Sequence, residues 1–129
     1  MGKYGKAAVI AALAVAKQPT MHPRDAWNSA VAQIFPDSES SRTKGCPRDS
    51  FLALCGMGAV IGVQKGSYTR SVKNRSYVER ALTALRANPA LQKDEARLWK
   101  IASQSATKIP NHQMDVVNAL LASGLIADN

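Results

Sequence analysis

Along most of the chain apolar side chains recur three and four positions apart, and each run is bounded by proline, glycine or short polar residues. That spacing lines one face of an α-helix, so it predicts helices rather than strands. The first runs from about Lys3 to Lys17: Val9, Ala12, Leu13 and Ala16 gather beside a side carrying Lys3, Lys6 and Lys17, although Ile10 falls among the lysines. Pro19 stops it, because the proline ring disfavours helical dihedrals at Gln18. A second helix starts at Pro23, whose missing N–H costs nothing in a first turn, and shows a stripe of Trp27, Ala30, Val31 and Ile34 before Pro36 ends it. Asp37 to Gly45 is polar and reads as an exposed loop. A third helix opens at Pro47 and turns Phe51, Leu52, Leu54 and Cys55 inward, with Gly56 and Gly58 available for a left-handed end.

Val60, Ile61 and Val63 then form a short apolar patch which, with Gly66 as a turn and Tyr68 and Thr69 following, allows one short β-hairpin over residues 60–69. The fourth helix begins between Ser71 and Asn74, buries Tyr77, Val78, Ala81, Leu82 and Leu85, and closes at Asn88-Pro89. Asp94 caps a fifth, with Leu98, Trp99, Ile101 and Ala102 inward and Leu91 packing just ahead. The last follows Asn111 and repeats Met114, Val117, Leu120 and Leu121 until Gly124. Leu125 and Ile126 echo Val60 and Ile61. In both places an apolar helix ends in glycine and two branched residues follow, which predicts a shared C-cap chemistry.

The pattern therefore predicts an all-α single domain of five or six helices, and 129 residues suffice to bury a core without metals or disulfides. Aromatic residues are only 5% of the chain, so that core is built mainly from Ala, Leu, Val and Ile, with Trp27 and Trp99 as its large anchors. Lys3 and Lys6 ahead of Ala14-Val15-Ala16 imitate a secretory signal, but the stretch is alanine-rich and weakly hydrophobic and reads as a helix. Its ten apolar residues are too few to span a bilayer, and Lys6 stands where myristoylation prefers Ser or Thr. On a helix Cys46 and Cys55 lie about 13 Å apart at 1.5 Å rise per residue, a separation no disulfide spans. Free thiols and no membrane segment together predict a cytoplasmic protein.

Charge narrows the choice of partner. The formal net charge is +8, and residues 65–86 hold six Lys and Arg against one acid, Glu79. Clustered cations gain free energy by displacing counterions from phosphates, so nucleic acid or another polyanion is the expected partner. Lys65, Arg70, Lys73 and Arg75 stand with Gly66, Ser67, Thr69 and Ser71 just ahead of the fourth helix, where N–H groups and the helix dipole favour an anion. Gly66 would let the backbone approach a phosphate, and the hydroxyls would add contacts. Lys44 and Arg48 are contributors from the preceding loop, Tyr68 could stack on a base, and Arg75, Arg80 and Arg86 could track a nucleic-acid backbone. Gly62 and Gly66 are too close together for a phosphate-binding loop motif, and the connection from Met57 to Ser71 is too long for a helix-turn-helix. The bland alternative is a solvated basic turn whose hydroxyl caps a helix. A protein partner or a homo-oligomer is a further alternative.

For catalysis the candidates are Cys46, His112 and Asp115. A thiol preceding Pro47 sits at a helix start, where the dipole favours thiolate, and Asp115 one turn beyond His112 could orient its ring. The simpler reading makes Cys46 a small buried residue and His112 a first-turn helix residue, as His22 is ahead of Pro23. With only two histidines and two cysteines, far apart, neither a metal site nor a cofactor is expected.

Five short runs carry a family resemblance: Gly2-Lys-Tyr-Gly5, Ile34-Phe-Pro-Asp-Ser38, Lys44-Gly-Cys-Pro47, Gly66-Ser-Tyr-Thr69 and Asn111-His-Gln-Met-Asp-Val-Val117. Together they resemble a small bacterial family of uncharacterised proteins. The resemblance implies a stand-alone helical domain and brings with it no activity, cofactor or catalytic residue.

Overall fold

Helices form where the apolar period places them. The computed structural model describes residues 1–128 and comprises α1 (Lys3–Lys17), α2 (Pro23–Ile34), α3 (Glu39–Arg42), α4 (Gly45–Gly56), α5 (Val72–Ala87), a 3-10 turn (Pro89–Lys93), α6 (Glu95–Ser103) and α7 (Gln113–Ala122). This is the all-α domain expected, with six helices of nine or more residues among the described residues. The polar stretch 37–45 contains one helical turn, α3, capped by Ser38, whose Oγ accepts from the Ser41 amide at 3.3 Å. Arg42 then folds back and donates to the Phe35 and Pro36 carbonyls at 2.7 and 3.0 Å, just past the end of α2.

Most starts are capped by residues readable in the sequence. Asp94 accepts from the Arg97 amide at 3.1 Å, Ser71 from the Asn74 amide at 3.3 Å, and His22 Nδ1 from the Arg24 amide at 3.0 Å ahead of Pro23. Helix α1 has no side-chain cap of its own. Asp115, from the first turn of α7, supplies one: its two carboxylate oxygens accept from the Gly2 and Gly5 amides at 2.8 and 2.7 Å. This is the reciprocal bonding of a capping box delivered from across the fold, and it places a negative charge at the positive end of α1.

Helices α1 and α7 are thus in close contact. A Cβ built on Gly5 would lie 2.6 Å from the Ala119 Cβ and 2.7 Å from Asp115 Oδ1. Both tryptophans are core anchors, as expected: Trp27 stacks on Phe51 with ring centroids 5.5 Å apart, and Trp99 meets Tyr77 edge-on at 5.1 Å. Alanine fills the rest of the α1 interface, where Ala7, Ala8 and Ala11 are fully buried.

The expected hairpin over residues 60–69 does not form. Val60 instead makes an isolated antiparallel bridge with Ile126, flanked by Ile61 N–H to Leu125 O and Ala127 N–H to Ala59 O, each at 2.8 Å. The two segments that echo one another in sequence therefore pair with each other. The cause lies in their helix ends: Gly58 and Gly124 both adopt left-handed backbone, with φ of 77° and 72°. Each is followed by a six-residue return bond, Ala59 N–H to Leu54 O and Leu125 N–H to Leu120 O. Matching ends turn the chain back on adjacent helices, α4 and α7, and the two exits pair.

Candidate functional site

The connection from Met57 to Ser71 is a strap that returns over the end of α4, tied there by the Gly66 amide to the Gly56 carbonyl at 3.2 Å. Its residues 65–71 form no regular structure and are mostly exposed. Lys65, Arg70 and Lys73 are exposed, and no carboxylate pairs with any of them among the described residues. Arg75 is different, since its Nε donates to Glu79 Oε1 at 3.0 Å in an exposed pair one turn apart. Arg48 bonds the neighbouring Asp49 at 3.2 Å, and Arg80 donates to the Ala102 carbonyl at 2.6 Å.

The hydroxyl residues divide in the same way. Ser67 is exposed and makes no hydrogen bond among the described residues, whereas Thr69 Oγ1 accepts from the Ser71 amide at 3.1 Å and Ser71 caps α5. Gly66 leaves room for a ring rather than for a phosphate: a Cβ there would lie 2.7 Å from Tyr68 Cζ. Tyr68 folds over it, donates from its hydroxyl to the Gln64 carbonyl at 2.7 Å, and meets the His22 ring edge-on at 5.2 Å. Tyr68 is therefore half-buried packing of the strap and not an open stacking platform.

The catalytic candidates do not assemble. Asp115 spends both oxygens on the amides that start α1, and no hydrogen bond joins His112 to it or to Cys46. Cys46 is half-buried and Cys55 fully buried, both thiols are free, and burial pushes the Cys55 thiol far up. Among the described residues no three His, Cys, Asp or Glu side chains gather closely enough to hold a metal ion, and no helix is long and apolar enough to cross a membrane.

A second feature lies where the first turns of α1, α6 and α7 meet. Here a cleft of about 680 Å³ opens, walled by Tyr4, Phe35, Trp99 and His112 and edged by Glu95, Asp115, Lys3 and Lys44. The Tyr4 ring sits 4.7 Å from both Phe35 and His112, and its hydroxyl donates to the Ser41 carbonyl at 2.8 Å. His112 adopts left-handed backbone, φ 66°, at the start of α7, and this turns its ring toward Tyr4. Burial, and then the nearby Lys44 charge, hold its imidazole below the usual value, with Asp115 acting the other way. Glu95 is raised, first by burial and then by Asp115.

Of these cleft residues sequence reasoning named only Lys44, His112 and Asp115 as site candidates, each for another role, and took Trp99 as a core anchor. A partial signal existed: four of the five runs that carry the family resemblance contribute to the cleft, through Gly2 and Tyr4, Phe35, Lys44, and His112 with Asp115. The chain belongs to a family of unknown function, DUF6979, whose model matches residues 1–127. No curated protein and no solved structure matches it.

Proposed function

Since that family carries no assigned role, we propose from the chain itself that it is a non-enzymatic basic module of the cytoplasm that binds a phosphate-bearing partner, nucleic acid first, through its strap. The observation that supports this reading is the trio Lys65, Arg70 and Lys73, exposed and unpaired on nine consecutive residues, with the free Ser67 hydroxyl between them. Lys65 and Arg70 stand on the irregular strap and Lys73 on the first turn of α5, a spacing that lets three cations meet phosphates of a single backbone. Sequence-independent affinity of this kind comes from counterion release.

Arg75 is held by Glu79, so three contacts rather than four set the salt dependence. Binding of a fluorescent duplex should weaken with added salt at a log–log slope of about −2.7, at 0.9 per phosphate contact. Replacing Lys65, Arg70 and Lys73 with Gln should remove most of that slope, whereas replacing Lys93 and Lys100 should leave it unchanged. No binding at about 50 mM salt, or a slope near zero, would refute the reading.

A further inference from the structure

The cleft between the first turns of α1, α6 and α7 shares no residue with the basic strap, and its volume of about 680 Å³ falls in the range of small-molecule sites. Its walls are flat and rigid. Trp99 is 4% exposed and its Nε1 donates to the Lys108 carbonyl at 2.7 Å, while Tyr4 is 5% exposed and clamped between two rings. These two rings are fixed almost wholly inside the fold, and the open aromatic surface of the cleft comes from half-buried Phe35 and exposed His112, which pack on the Tyr4 ring.

The acids that line the larger cleft lie toward one end of it, where Lys93 lines only the adjoining smaller cavity. Glu95 and Asp115 stand with Gly2 at the end that runs on into a smaller cavity of about 290 Å³, and all three residues line both spaces. Lys44, Ser41 and Phe35 line only the larger space. The two carboxylates are also unequal in what they have left to offer. Asp115 is engaged by two amides, whereas Glu95 has no hydrogen-bond or ion-pair partner among the described residues.

We propose that this cleft binds a small zwitterion with a flat apolar body, such as an aromatic amino acid or a short aromatic peptide: its ammonium meets Glu95, its carboxylate meets Lys44, and its body lies against Phe35 and His112 above the fixed edges of Tyr4 and Trp99. A ligand of one charge would satisfy one end and leave the other facing it unmatched. A zwitterion satisfies both, and preference for it over singly charged analogues is the signature of the site.

The test titrates the full chain with L-phenylalanine, L-phenylalanyl-L-phenylalanine, phenethylamine and 3-phenylpropionate, read by calorimetry and by amide chemical shifts. At least one zwitterion should bind about tenfold or more tighter than either singly charged probe, shifting Tyr4, Trp99 and Glu95. Glu95→Gln should erase the advantage over 3-phenylpropionate, and Lys44→Gln the advantage over phenethylamine, with a cooperative melting transition no lower than the parent's showing that both variants fold. The strap variant should bind the zwitterion as the parent does. Absence of saturable binding for both zwitterions up to ~10 mM, equal binding of a singly charged probe, or indifference to Glu95→Gln would each overturn the proposal.

Discussion

Asp115 shows how a side chain can be misassigned when only its neighbours are in view. Its place one turn after His112 suggested an orienting carboxylate, yet its partners are the amides of Gly2 and Gly5, more than a hundred positions away. The readable clue was a deficit: α1 begins with Gly2 and carries no acidic residue in its first turn, so its N–H groups needed an acceptor from elsewhere. Asp115→Ala should lower stability by about 1–2 kcal/mol in urea unfolding and speed hydrogen exchange at the Gly2 and Gly5 amides. Gly5→Ala should cost about 1–3 kcal/mol, because its Cβ would force α1 away from Ala119. If Asp115 instead served only the His112 ring, the two amides would exchange at unchanged rates.

At the scale of elements the helices were legible because each carries its period and its stop, while the pairing of their exits was not. Val60 and Ile61 were expected to find a partner within ten residues, as hairpin strands do. What decided the matter was the left-handed glycine that ends each helix, since it sets an exit direction, and α4 and α7 pack side by side. Three glycines then rank by what surrounds them. Gly124→Ala meets open space and pays only for its φ of 72°, about 1–2 kcal/mol. Gly58→Ala should cost more, because the Lys65 stem lies 2.7 Å from the added carbon. Gly62→Ala should cost most, since there the obstacle is Ala16, with its Cβ at 2.7 Å and its backbone Cα at 3.3 Å. Denaturant midpoints of the three variants check the order, and an equal loss at all three would contradict it.

Across the whole molecule, the basic balance and the helical class could be read from composition and period, but the cleft could not. Its walls come from α1, the end of α2, α6 and α7, and no short window of sequence contains two of its opposite faces. The same convergence makes stability depend on pH in two opposing ways. His112 has a lowered pKa, so its contribution is present above its ordinary value near 6.5 and is lost as pH falls through the lowered one. Glu95 has a raised pKa, so its contribution is present below about 4.3 and is lost as pH rises through the raised one. Melting temperatures between pH 4 and 7.5 should show His112→Asn, which tolerates left-handed backbone, losing less than the parent in mild acid. Glu95→Gln should gain over the parent at pH 7, and that gain should shrink toward pH 4. Parallel curves for parent and variants would argue against both assignments.

The bond between the exits of α4 and α7 also orders events in time. Ala59 and Ile61 find their partners, Ala127 and Leu125, more than sixty positions further along the chain, and Asp115 meets Gly2 across a separation of 113. Contacts of such long sequence separation are slow to close, so the capping of α1 and the pairing of the middle segment belong to the late part of folding.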